Sequence, residues 1–188
     1  MSAESLEKPL PKPSTEDYVV ARLLESIVEA KLALDFLSRG LIRNASGKAF
    51  QSWKAFITAL LRLELSKLLE ITSREDKEWL VKKAVPRAPT TRMKWLSQLL
   101  EQVGHDDISV WTDKALNLHD YQYNGPDPDM ALSKYRNREE AAYDIIKLVN
   151  EVAKRTEGLK ERIKWSPELE KVLKELEEMM SKPKSLQK

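Results

Sequence analysis

The chain has 188 residues, 41% of them hydrophobic and 33% charged, with a formal net charge of +2. That length suits one compact domain with an appended helix, and the near-neutral total gives no strong uniform field of the kind that marks a typical nucleic-acid binder. The chain has no cysteine, which excludes disulfides, thiolate zinc sites and a cysteine nucleophile, and its two histidines cannot by themselves build a His-rich metal centre.

Abundant Lys and Glu with only 5 glycines suit helices and argue against sheets, so the expected class is all-α. No window of about 18 apolar residues exists, and the opening MSAESLEKPLPKPS lacks an apolar core, so no membrane span and a cytoplasmic location are expected. The Lys and Glu bias without Cys is also the compositional habit of thermophile proteins. No cofactor or metal is expected.

In chain order, residues 1–13 carry three prolines and several charges and read as a flexible tail. Ser14 or Thr15 is placed to cap a helix whose apolar stripe is Val20, Leu23, Leu24, Ile27, Ala30, Leu34 and Leu37, with Gly40 as its stop. A short turn leads to the central stretch Asn44–Leu69, so these two helices should be antiparallel. Phe50, Trp53, Phe56, Ile57, Leu60, Leu61, Leu63, Leu65, Leu68 and Leu69 cover most of its circumference, which predicts a helix buried among several others. One stripe differs: Lys48, Ser52, Ala55, Ala59, Arg62 and Ser66. Its small residues would let another helix come close, more naturally within the chain than at a dimer seam.

Ser73 is the expected cap of a short helix through Leu80 and Val81, ended by Pro86 and Pro89. A further helix opens at Thr90 or Thr91 and closes at Gly104; the next is capped by Asp106 or Asp107 and runs through Trp111, Ala115 and Leu118 to Tyr123. Asn124-Gly125-Pro126-Asp127-Pro128 breaks the pattern. Asn137 with Glu140 forms a capping box for a helix ending at Gly158, which closes the bundle of residues 14–158. Ser166-Pro167 starts a charged helix within 159–188, free to lie on the bundle or on a partner.

No glycine-rich phosphate loop, HExxH, GxSxG or EF-hand pattern is present. The suggestive stretch is Lys114–Asn124, where His119 lies near Tyr121 and Tyr123 at the edge of a buried face and can move protons with Lys114 and Tyr123 assisting. The blander alternative is an imidazole satisfied by a backbone carbonyl. Arg87, Arg92 and Lys94, with Lys82, Lys83 and interleaved Trp95, form a basic loop able to hold phosphates or stacked bases. The alternative, favoured by the small net charge, is a solvated loop balanced by Glu75, Asp76 and Glu78. His105 reads as a solvated loop residue, and Glu25 with Glu29 as surface charge.

A first amphipathic helix ending in Gly, the Ala-rich NASGKAFQSWKAFITALL, then LHDYQYN, then NREEAAYDIIKLV: over Tyr18–Gly158 this order resembles the HEPN superfamily, and within it the archaeal PaREP1 type. The resemblance implies an up-and-down four-helix bundle, here with additional short helices and the appended C-terminal helix. It also implies a homodimer, which the central helix supports separately by carrying more apolar surface than a small bundle needs. Active HEPN proteins carry an Arg four to six residues before a His and cleave RNA without metal, the two motifs facing across the dimer. His119 would be that His, but Lys114 stands five residues before it and no Arg occurs in the window. Lysine cannot make the bidentate fork of Arg. The resemblance therefore implies a non-catalytic module that binds RNA or a partner protein, in a toxin–antitoxin or defence setting. A weak endoribonuclease using His119 and a purely structural dimerisation module are the alternatives.

Overall fold

The computed structural model describes residues 9–181; most of the expected N-terminal tail and the last residues of the expected C-terminal one lie outside the described residues. Among the described residues all regular structure is helical. The helices are α1 (Asp17–Ser38), α2 (Ile42–Leu63), α3 (Leu65–Ile71), α4 (Arg74–Trp79), α5 (Val85–Arg87), α6 (Met93–Gln102), α7 (Ile108–Asn124), α8 (Arg138–Glu157) and α9 (Pro167–Ser181). A π-helical turn, Leu80–Ala84, joins α4 to α5. Short 3-10 turns, Thr90–Arg92 and Lys160–Arg162, precede α6 and follow α8.

α2 is the hub, touching α1, α5, α6, α7 and α8. Phe50, Trp53, Phe56, Ile57, Leu60 and Leu61 are each at most 1% exposed. Burying a side chain of this size stabilises by about 1.5–3 kcal/mol, so this one helix supplies a large share of the core. The small-residue stripe meets α1. Ser26 Oγ donates to the Ser52 carbonyl at 2.8 Å, a contact that only small side chains permit, and Lys48 lies 2.9 Å from Glu29. The apolar surface of α2 is thus consumed within one chain and leaves no surplus to argue for a dimer.

Ser26 opposite Ser52 and Glu29 opposite Lys48 make α1 and α2 antiparallel. Trp53 Nε1 donates to Thr112 Oγ1 at 2.9 Å and Phe50 meets His119, so α7 runs antiparallel to α2. Lys114 with Asp144, and Arg155 with the Asp106 carbonyl, set α8 antiparallel to α7. α9 buries Leu169, Val172, Leu173 and Leu176 on the bundle and ties to α1 through Lys31 and Glu175.

The expected caps at Ser73, Asn137 and Ser166 form: their side-chain oxygens accept from the backbone of Asp76, Glu140 and Leu169. Others do not. α1 begins at Asp17 without a side-chain cap, because Thr15 Oγ1 turns back to donate to the Lys12 carbonyl. Asp107 takes a left-handed conformation (φ 58°) ahead of α7 and caps nothing. Glu101, from the end of α6, does the work instead, accepting from Ser109 N at 3.0 Å and Ser109 Oγ at 2.7 Å. Pro86 does not end its helix but sits inside α5. A proline there lacks a donor and crowds the carbonyl four residues back. The wide turn before it, in which Val85 N donates to the Leu80 carbonyl, makes room. Tyr18 Oη donates to the Val85 and Pro86 carbonyls at 2.9 and 3.2 Å, so α1 holds the segment in place.

Candidate functional site

α7 presents Ile108, Thr112, Ala115 and Leu118 to the core, and His119 follows at the rim of that face. Its imidazole stacks on Phe50 of α2 with ring centroids 4.1 Å apart, and Tyr123 meets it edge-on at 5.1 Å. Nδ1 of His119 is buried and has no hydrogen-bond partner; the same holds for Oε1 of Gln122, one turn further on. The expected backbone partner for His119 is therefore absent on the buried nitrogen. Gly47 makes the close approach possible: a Cβ there would lie 2.7 Å from the Gln122 carboxamide.

Burial lowers the His119 pKa, and the charge of Lys54 lowers it further against the opposing pull of Asp120. Lys54 stands one turn beyond Phe50 on α2, next to the stack. Its own pKa is lowered by burial and by Arg22, with Glu25 opposing. Arg22 Nη1 already holds Glu25 at 2.6 Å, and the Lys54 ammonium makes no hydrogen bond or ion pair with the described residues. The result is a neutral-biased imidazole and an uncommitted ammonium on neighbouring helices. Tyr123, 64% exposed, stands at the edge. Arg43 fastens the end of α7 by donating to the Gln122 carbonyl at 3.0 Å and to that of Tyr123.

Of the three residues named for proton transfer, the structure brings His119 and Tyr123 together. Lys114 faces α8 instead: its Nζ lies 2.5 Å from Asp144, which also accepts from Tyr135 Oη at 3.0 Å. Three cations of the basic loop, Lys82, Arg92 and Lys94, are folded onto carboxylates. The Arg92 guanidinium is sandwiched between Trp79 and Trp95, 4.1 and 4.0 Å from the ring centroids, and binds Asp76 at 3.1 Å. Lys94 binds Asp113 at 3.0 Å and Lys82 binds Glu78 at 2.6 Å. Arg87 is exposed and makes no ion pair with the described residues.

Two expectations about charge are overturned. His105 is not solvated: its side chain is 10% exposed, and its Nε2 lies 2.9 Å from Glu64. Glu64 is 2% exposed where α2 gives way to α3, and it also gathers Lys67 at 2.8 Å and Arg162. Burial alone would raise its carboxyl, but hydrogen bonds from Lys67, Arg162 and His105 prevail and bring it to about 2. Glu29 is buried rather than a surface charge, because α1 and α2 come close enough for Lys48 to cover it.

Lys54, Gln122 and Arg43 were not legible as site residues. Gly47, an isolated glycine inside a helical pattern, was the available signal of a close approach. No helix among the described residues is long and apolar enough to cross a membrane. No curated protein and no solved structure matches the chain. The family description that does match, over residues 21–146, takes in α2 and the whole of α7, and with them Phe50, Lys54, His119 and Tyr123; the chain belongs to the archaeal PaREP1/PaREP8 family.

Proposed function

We propose that this chain is a non-catalytic, HEPN-like helical module that associates with a second copy of itself through one end of its bundle. The carrying observation is a group of apolar side chains standing out of that end. Leu41, Tyr123, Met130 and Leu132 are 40%, 64%, 47% and 70% exposed. They share one place: Arg43 ties the start of α2 to the Tyr123 carbonyl, and Asn124 Nδ2 donates to the Leu132 carbonyl at 3.0 Å. Contiguous apolar groups left in water mark interaction surfaces. The antiparallel succession α1, α2, α7, α8 supports the HEPN-like arrangement, in which copies meet near the family histidine. The engagement of Lys114 by Asp144 and the missing Arg support the absence of catalysis. Sedimentation velocity tests the reading. A dimer is expected, converted to monomer by Tyr123→Glu with Leu132→Glu; a wild-type monomer at about 100 µM overturns it.

A second reading, a metal-independent endoribonuclease with His119 at the dimer cleft, is favoured by one observation: the imidazole is biased to its neutral, proton-accepting form beside a cation. Purified protein and His119→Ala would then differ in RNA cleavage, and equal residual activity eliminates it.

A further inference from the structure

We propose that Asn124 is a site of spontaneous deamidation, and that its conversion to an acid releases residues 125–136 from the end of α7. Asn124-Gly125 is the chain's single Asn-Gly pair. Glycine has no side chain, so its backbone nitrogen is open to reaction with the neighbouring carboxamide. That nitrogen attacks Cγ of Asn124: an N–C bond forms, the Cγ–Nδ2 bond breaks and ammonia leaves. Water then opens the cyclic imide, giving aspartate or isoaspartate at this position. The fold needs both members of the pair. Gly125 has φ 71° and ψ −160°, a backbone that a Cβ would strain. Asn124 Nδ2 donates to the Asp120 carbonyl at 2.9 Å and to the Leu132 carbonyl at 3.0 Å, so one side chain ties the last turn of α7 to the loop that leads to α8. Asp127 Oδ2 holds the same stretch from within the loop, accepting from Leu132 N at 2.7 Å and Ser133 N at 3.2 Å.

A carboxylate cannot keep the Asn124 tie. It has no hydrogen to donate, so two hydrogen bonds become oxygens facing oxygens. It also sets a negative charge at the C-terminus of α7, where unpaired carbonyls already carry partial negative charge. The intact structure restrains the reaction. Gly125 N donates to the Tyr121 carbonyl at 2.8 Å, and Nδ2 is engaged twice. Conversion therefore follows opening of this helix end, and the product prevents the end from closing as before. Leu132, 70% exposed, belongs to the apolar group described above. Loss of self-association on conversion rests on that reading; the chemistry and the release of the loop do not.

The full chain is held in mildly alkaline buffer with and without urea, and peptide mapping follows each asparagine. Asn124 is expected to convert before Asn150, which lies within α8. Its conversion should be about tenfold or more slower in the folded chain than in urea, because opening limits it. Trypsin reports the release, since Lys134 is exposed in the loop. Cleavage after Lys134 should be about tenfold or more faster in Asn124→Asp than in wild type, because proteolysis tracks the population of the open form. Aged wild-type chains, separated from unreacted ones by charge, should be cleaved as the variant is. Conversion at Asn124 no faster than at Asn150, or equal cleavage of Asn124→Asp and wild type, overturns the proposal. Sedimentation of the same samples separates the two readings. A wild-type monomer whose Asn124 converts and frees the loop refutes self-association and leaves this site standing; a dimer whose Asn124 does not convert does the reverse.

Discussion

The Glu64 corner and the surroundings of His119 are built from the same kinds of side chain and end in opposite states. At Glu64, one buried carboxylate collects Lys67, His105 and Arg162 from three parts of the chain. Beside it in character, Arg92 is closed between two indoles and Asp76. Around His119, Lys54 makes no hydrogen bond or ion pair with the described residues, and His119 Nδ1 and Gln122 Oε1 are buried without a hydrogen-bond partner. The lesson concerns where to look for binding in a chain of mixed charge. Density of cations in the sequence pointed to the Arg87–Lys94 loop, but folding supplied Arg92 and Lys94 with anions of their own and left Arg87 exposed. A less crowded pair was left open.

The largest test of this contrast is Glu64→Gln. Removing the charge takes from Lys67, Arg162 and His105 the buried acceptor they share, and because Lys67 and Arg162 are 57% and 43% exposed the loss expected in urea or thermal melts is about 2 kcal/mol. Acid should expose the same network. Glu64 ionises more readily in the folded than in the unfolded chain, so its contribution is present above the ordinary carboxylate value and fades as pH falls toward about 2. Burial, outweighing the pull of Glu64, keeps His105 below its usual value, so stability also declines once pH drops past the ordinary imidazole range. Both trends have one sign, and Glu64→Gln should flatten the lower part of the profile.

Arg92→Ala comes next. It removes two cation–π contacts and one ion pair, an expected cost of about 1–2 kcal/mol in thermal melts. The ring resonances of His119 should not change in this variant; a change would erase the distinction between the two regions. The smallest effect is expected from His119→Phe. A phenyl ring keeps the stack on Phe50 and removes an unpaired nitrogen, so stability should stay within about 0.5 kcal/mol or rise slightly. A loss of 2 kcal/mol or more, about the penalty for a broken buried hydrogen bond, would reveal a structural imidazole instead.

The parts of the fold that depend on local pattern were readable. The greasy circumference of α2 marked it as interior, and Ser52, Ala55 and Ala59 marked the seam for α1. Caps made by the residue at the helix start, Ser73, Asn137 and Ser166, were readable for the same reason. What failed was anything supplied from a distance. The cap of α7 comes from Glu101 and the anion for Arg162 from a residue 98 positions away. Pro86 misled because a widened turn upstream and Tyr18 on α1 jointly absorb what it disrupts. Half of the candidate site was visible as His119 and Tyr123. Lys54 was hidden because being unpartnered is a property of the folded neighbourhood, which one-dimensional spacing does not carry.

α9 crosses back onto α1, and the consequence is a mismatch between ancestry and cooperativity. The family match stops at residue 146, inside α8, while Leu148, Val149 and Val152 continue the buried face and Arg162 and the leucines of α9 complete it. A polypeptide trimmed to the shared segment would bare this face to water and should aggregate or stay molten, with hydrogen exchange too fast to measure in α1. The buried face continues through Leu176 of α9, so the recognisable part of the chain is shorter than the part expected to fold together.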